Sequence, residues 1–264
     1  MKGNIITVPI HKVDSGAGAA EQDLVAVEEP LQIRLGGRDM AITMRTPGHD
    51  QELAAGFLFT EGVLQQASQI SGITADKKGA INVRLAEGVQ IDFERLARNF
   101  YVTSSCGVCG KASIDALRAA GCPVLPRGRP VIDARMLPGL PQKLREAQAV
   151  FEHTGGLHAA GLFDTSGKML GLREDVGRHN AVDKLVGAAF LEDRLPLGEH
   201  ILMLSGRVSF ELVQKALMAG IPILAAVGAP SSLAVETALR FGVTLVGFLR
   251  GERFNVYAGQ SRLS

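Results

Sequence analysis

Two cysteines three residues apart, Cys106 and Cys109 in Ser104-Ser105-Cys106-Gly107-Val108-Cys109-Gly110-Lys111, are the side chains best suited to covalent chemistry in this sequence. They follow Phe100-Tyr101-Val102-Thr103 and precede a helical pattern through Ile114, Leu117 and Ala120 to Gly121, so the spacing predicts a strand-to-helix loop. A thiol near a helix N-terminus and beside Lys111 has its thiolate favoured, and the thiolate is the form that attacks sulfur. The flanking glycines keep the loop open to a bulky partner, and the stretch is too polar for a buried pair. Zinc would need four ligands. With no second C-x-x-C, histidines such as His158 would have to complete the set. The deaminase signature, H-x-E ahead of P-C-x-x-C, is absent: His158 is followed by Ala159-Ala160 and comes after the cysteines. Dithiol redox exchange fits a pair near a β-α-β pattern. A sulfur carrier holds a persulfide on one exposed cysteine, which a second can help release. Spacing alone ranks redox and sulfur transfer together, with zinc close behind. Cys122, before Pro123, reads as a small buried hydrophobe.

An anionic ligand has its own candidate residues. From Tyr101 onward the chain alternates short apolar runs with helical patterns, notably Ile201 to Leu204, Phe210 to Met218, Ile223 to Val227, Leu233 to Leu239 and Thr244 to Leu249. That succession implies a parallel or mixed sheet covered by helices, whose ligands bind at the carboxyl ends of the strands. Three loops meet that criterion: Ser205-Gly206-Arg207, Gly228-Ala229-Pro230-Ser231-Ser232 and Arg250-Gly251-Glu252-Arg253. Glycines permit close backbone approach, Ser231 or Ser232 can cap the next helix, and Arg207, Arg250 and Arg253 add positive charge. One such loop is ordinary; three together point to a bound anion.

The segment Arg173 to Lys184 is dense in charge. A solvated helix face, with pairs such as Asp175 and His179, would explain it. The run Gly177-Arg178-His179-Asn180-Ala181 at a helix start gives a ligand or partner contact equal standing, with His179 able to donate, accept or carry a proton. His158, between glycines and an apolar strand, reads more readily as a satisfied core histidine.

These residues sit in a chain of 264 residues, 46% apolar and 21% charged, with a net charge of +1. That describes a globular protein without the electrostatic footprint of nucleic-acid or membrane-surface binding. No signal peptide or membrane span is legible, and three cysteines do not make a disulfide framework, so a cytoplasmic location is expected. Residues 11–23 read as a loose segment. Leu31 to Leu35 and Met40 to Met44 alternate around Gly36-Gly37-Arg38-Asp39 as a hairpin, and His49 to Leu58 forms a short helix stopped at Gly62. Strands are expected over Ile81 to Leu85 and Val89 to Phe93. The boundary then falls between a small β-rich α+β domain, 1–98, and an α/β domain, 99–264, that carries the cysteine loop and the three candidate ligand loops.

Five stretches in order, Ser104 to Lys111, Gly155-Gly156-Leu157-His158, Arg173 to Lys184, Ser205 to Ser209 and Phe248 to Tyr257, resemble the formate dehydrogenase accessory sulfurtransferase family, the FdhD sulfur carriers. The resemblance runs from about Glu29 to Tyr257. It implies a carrier that takes persulfide sulfur from a cysteine desulfurase and passes it to the molybdenum bis(molybdopterin guanine dinucleotide) cofactor, which formate dehydrogenase needs in sulfurated form. GDP-like nucleotides would mimic that ligand. It also implies a cytidine-deaminase-like three-layer mixed sheet in the larger domain, without deaminase chemistry or a resident metal, and a homodimer. By the family's pattern Cys106 carries the persulfide, Cys109 accompanies it, and Phe248, Leu249, Arg250, Gly251, Glu252 and Arg253 form the cofactor segment. Ser205, Gly206, Arg207 and His179 join them as candidate contacts. The partners implied are the desulfurase and the formate dehydrogenase apoprotein.

Overall fold

The computed structural model describes residues 3–76, 79–93, 117 and 122–264, and elements are numbered over those residues. The chain opens on an antiparallel hairpin, β1 (Ile5–Asp14) and β2 (Ala17–Ala26), where residues 11–23 were expected to be loose. Its turn is Ser15-Gly16, with φ of 49° and 89°. Two positive φ values in a two-residue loop match the twist of a hairpin. The Gly/Ala-rich composition masked both that turn and the alternation of Ile6, Val8 and Ile10.

The next hairpin, β3 (Glu29–Leu35) and β4 (Arg38–Arg45), turns at Gly36-Gly37 as expected. With β5 (Ile70–Ala75) and β6 (Ala80–Leu85) it forms a four-stranded sheet in the order β4-β3-β6-β5. No strand forms over Val89–Phe93. Ile91, in irregular chain, and Phe93, in helical conformation, pack on the core edge, and the Arg38 guanidinium lies 4.5 Å from the Phe93 ring centre. Burying every second side chain does not require a ladder partner. Between β4 and β5, α1 (Asp50–Thr60) starts with Asp50 and Glu52 at its positive end and is followed by Gly62 at φ 73°.

The second sheet holds β7 (His158–Asp164), β8 (Met169–Asp175), β9 (His200–Leu204), β10 (Ile223–Ala226), β11 (Thr244–Arg250) and β12 (Arg253–Ala258). Its order is β12-β11-β10-β9-β7-β8, with β9, β10 and β11 parallel and the other pairs antiparallel. The fold is therefore mixed α/β. Helices α2 (Leu140–Glu146) and α3 (Ala149–Thr154) precede β7, and α4 (Arg178–Leu191) follows β8. Helices α5 (Phe210–Met218) and α6 (Ser232–Phe241) are the crossovers between the parallel strands. Side chains alternate across the sheet. Leu202, Leu204 and Leu224 join one core with α1, α4, α5, α6 and β3, while Ile201, Met203 and Ile223 meet Leu137, Leu140 and Leu144 on the other face. No helix among the described residues is long and apolar enough to cross a membrane.

Helices α1 and α4 cross with their backbones in contact at Gly56 and Gly187. A Cβ on Gly56 would lie 1.9 Å from the Asp183 carbonyl oxygen, and one on Gly187 would lie 1.9 Å from that of Glu52. Both obstacles are backbone, so neither can swing aside. Gly56→Ala is expected to lower stability by about 3 kcal/mol, at the upper end of overpacking losses. Urea unfolding measures it, and a loss below about 0.5 kcal/mol would mean that the helices can part without penalty.

Candidate functional site

The ends of β9, β10 and β11 carry the three loops that were read as an anion site, and backbone hydrogen bonds join them. Gly228 N donates to Gly206 O (3.1 Å), Val208 N to Ala229 O (3.0 Å), Ser231 N to Val208 O (2.9 Å) and Phe248 N to Gly228 O (3.1 Å). Gly228 is required at this crossing, because a Cβ there would sit 2.8 Å from both Arg207 N and Gly206 O. Ser231 Oγ caps α6 by accepting from Ala234 N. The last of the loops is tighter than expected: residues 248–250 still belong to β11 and Arg253 begins β12, leaving Gly251-Glu252 as the turn.

Within that segment the side chains diverge. Leu249 is fully buried in the apolar layer and offers a ligand only its backbone, whereas Arg250, Gly251, Glu252 and Arg253 are exposed. Phe248 has φ 52° and is 43% exposed. A bulky residue in the left-handed region is strained, and such strain collects at ligand sites.

Strand β7 runs antiparallel to β9, so its first residue, His158, arrives at the same end of the sheet. Ser205 Oγ accepts from Ala159 N (2.8 Å) and Ser205 N donates to Ala159 O (3.1 Å), fixing the β9 loop against β7. Strand β8 ends there too, with Asp175 opposite His158, and leads through Gly177 into Arg178 and His179. His179 Nε2 lies 3.0 Å from Ser209 Oγ and 3.1 Å from Glu211 Oε2. The corner thus gathers His158, Arg178, His179, Arg207, Ser205 and Ser209. Burial and then the Arg178 and Arg207 cations hold His158 below the usual imidazole value, with Asp175 pulling the other way. Burial, then Arg178, Lys215 and His158, push His179 down to about 4. The Arg178 Nε is buried without a partner among the described residues. With both imidazoles neutral and Asp175 offset by Lys184, two arginines against the single Glu211 carboxylate leave the corner net positive at neutral pH.

A depressed histidine has a definite sign in stability. Above its ordinary 6.5 both folded and unfolded rings are neutral; between 6.5 and about 4 only the unfolded chain takes up the proton. Stability held by neutral His179 is therefore lost as pH falls through that window. Asp183, pushed up to about 6 by burial against the pull of Lys215, works in the opposite sense between 6 and its ordinary 3.8. Replacing His179 by Gln keeps an N–H donor and removes the titration. The acid-side fall in melting temperature is expected to shrink in His179→Gln, and an equal fall in both proteins would show that the ring does not fold neutral.

The rest of the Arg173 to Lys184 segment differs from a solvated face. Asp175 pairs with Lys184 at 2.7 Å, both side chains essentially inaccessible, rather than with His179. Asp183 meets Lys215 at 2.9 Å, Arg173 binds Glu52, and Asn180 Nδ2 donates to Met44 O and Asp175 Oδ1. These residues fasten the segment to α1, α5 and β4, leaving Arg178 and His179 facing the corner. Cys122 is buried, and its thiol is pushed up to about 12 by that burial, as its reading as a hydrophobe implied. Cys106, Cys109 and Lys111 lie outside the described residues. Among the described residues no three His, Cys, Asp or Glu side chains are grouped as metal ligands. Two residues at this end of the sheet were not among the candidate site residues: Ser209, whose only marker is that it closes the Ser205 to Ser209 stretch, and Gln148, which has none.

A sequence model described as the FdhD/NarQ family matches residues 26–264. The chain is 53% identical over 265 residues to a sulfur carrier protein FdhD of Streptomyces avermitilis, covering 97% of this chain and 94% of that protein. It is 45% identical to a protein of the same name from Sulfolobus acidocaldarius, covering 97% of each. Among solved structures, the crystal structure of a putative formate dehydrogenase accessory protein from Desulfotalea psychrophila superimposes with a TM-score of 0.77 at 26% identity, over 99% of this chain and 100% of that one.

Proposed function

Because the chain belongs to the FdhD/NarQ family, we propose that it is a sulfur carrier in formate dehydrogenase maturation, with Cys106 as the carrying residue. The Cys106 thiolate attacks the outer sulfur of a cysteine desulfurase persulfide, the desulfurase thiolate leaves, and Cys106 then bears the sulfane sulfur. Releasing that sulfur as hydrosulfide takes two electrons. Attack of the Cys109 thiolate on Cys106 Sγ supplies them and leaves a Cys106–Cys109 disulfide. The acceptor is the molybdenum bis(molybdopterin guanine dinucleotide) substrate.

The observation that carries the ligand half of this reading is the net-positive corner built where three hydrogen-bonded loops meet. Arg178 and Arg207 neutralise phosphates there, joined by Arg250 and Arg253 along the β11–β12 turn. Phe248 offers its exposed ring as a stacking face. The finer parts of the reading are a cytoplasmic homodimer, delivery to formate dehydrogenase apoprotein, and a likeness of the six-stranded sheet, covered on both faces, to the cytidine deaminase fold.

Phe248 gives a separable expectation. Phe248→Gly removes both the strained side chain and the stacking face, so stability should hold or rise by up to about 1 kcal/mol. Affinity for GDP should fall about ten-fold or more, the scale of one stacked base. Thermal unfolding and calorimetric titration check the two halves.

The test of the carrier role is intact-protein and peptide mass spectrometry after incubation with a cysteine desulfurase and cysteine. One added sulfur, removable by reductant, is expected on the peptide that contains Cys106. No such adduct, or one that survives in Cys106→Ala, overturns the assignment.

A further inference from the structure

A cleft of about 740 Å³ opens beside the cationic corner, between α2, α3 and the start of β7. Its walls include Leu144, Gln148, Phe151, His158, Ser205 and Val227. That volume suits a ligand of mononucleotide size, since small-molecule sites span roughly 300–1,000 Å³. At the rim the Arg145 guanidinium lies 3.9 Å from the centre of the Phe151 ring.

Gln148 occupies the position before α3, where Ser, Thr, Asp or Asn ordinarily caps the helix through a side-chain oxygen. It does not do so here. The cap comes from β8, where the Glu174 carboxylate accepts from Val150 N (3.1 Å) and Phe151 N (2.9 Å). Gln148 is nevertheless only 4% exposed, and its amide nitrogen has no partner among the described residues. Buried donors are paired almost everywhere in folded proteins. Gln148 lines a cleft of mixed polarity, and a small turn of its amide brings this unpaired donor to a ligand that carries the acceptor.

We infer that this cleft holds a planar ring bearing a carbonyl, that Gln148 Nε2 donates to that carbonyl, and that Gln148 thereby determines which heterocycle is accepted. The ring lies against Phe151, Leu144 and Val227, and its anionic tail runs toward Arg207. This rests on the proposed function, whose substrate contains two kinds of ring with a carbonyl, pterin and guanine; it adds a specificity residue on an element that no cysteine or arginine motif marks.

The test is calorimetric titration of the full chain and of Gln148→Leu with three probes: GDP, the diphosphate of 2-aminopurine riboside, which lacks the ring carbonyl, and pterin-6-carboxylate. If guanine is the ring, the unaltered protein should bind GDP about ten-fold more tightly than the 2-aminopurine analogue, one hydrogen bond's worth. Gln148→Leu should bind the two equally. If pterin is the ring, Gln148→Leu should lose about ten-fold in affinity for the pterin alone. Gln148→Glu, which keeps the shape and removes the donor, should show the same loss and guards against a folding defect. An unchanged GDP preference together with unchanged pterin affinity in both variants overturns the inference, as does failure of the unaltered protein to bind any probe. The carrier role is read separately, from sulfur on Cys106, so ring selectivity without sulfur uptake would overturn that role and leave this inference standing.

Discussion

Cys106→Ala is expected to accept no sulfur from a desulfurase and to cut the formate dehydrogenase activity recovered in a maturation assay by about a thousand-fold or more, the scale on which removing a sole nucleophile acts. Only two other thiols are present, Cys109 and Cys122. Cys122 cannot substitute, because it is buried and its thiol, pushed up to about 12, stays protonated at neutral pH. Any sulfur still taken up would therefore be on Cys109, and Cys106→Ala/Cys109→Ala separates that case. Cys109→Ala alone should still load one sulfur but release it slowly, because the internal source of two electrons is gone. Equal recovered activity in Cys106→Ala and the unaltered protein would contradict the carrier role.

The second large effect is on stability. Lys184→Met leaves the Asp175 carboxylate without its cation at a position with no solvent access, and unfolding by urea should show a loss of about 3–5 kcal/mol. Thr46 N, Gly177 N and Asn180 Nδ2 also donate to this carboxylate, which keeps the loss from running higher. Because Asp175 faces His158 across β7 and β8, the variant should also bind nucleotide less well. Adding Asp175→Asn to Lys184→Met removes the orphaned charge and should recover part of the stability. A loss below about 1 kcal/mol in the single variant would mean that the pair contributes no more than a surface ion pair.

These two expectations draw on different parts of the sequence, and they were not equally legible there. The β9-α5-β10-α6-β11 succession was plain from apolar runs alternating with helical patterns, because parallel strands buried on both faces are nearly continuous in apolar residues. The hairpin at Gly36-Gly37 and the helix stop at Gly62 were equally plain, each needing a positive φ that glycine supplies. The hairpin at Ser15-Gly16 was hidden because small and polar residues, Ala17 to Ala20 among them, resemble a loop when read by composition. At Val89 to Phe93 the alternation was real but followed packing rather than pairing.

At the site, the three loops could be foreseen from glycine, serine and arginine at strand ends, but their mutual hydrogen bonds could not. The charge-rich segment misled for a physical reason. Asp175, Asp183 and Lys184 look solvated in sequence, and it is the Asp175–Lys184 pair together with partners distant in the chain, Thr46, Thr60 and Lys215, that allows them to be buried. Gln148 carried no signal at all, since an amide before a short helix becomes notable only once its burial and its unpaired nitrogen are seen.

The most direct test of sulfur carriage is a single-turnover chase. The protein is loaded with radiolabelled sulfur by a desulfurase, freed of donor, and mixed with the molybdenum bis(molybdopterin guanine dinucleotide) substrate, and the label on protein and on cofactor is counted over time. Loss of one labelled sulfur per Cys106 from the protein, matched by its gain on the cofactor and absent in Cys106→Ala, is the expected result. Label that stays on the protein, or that reaches the cofactor equally well in Cys106→Ala, would contradict it.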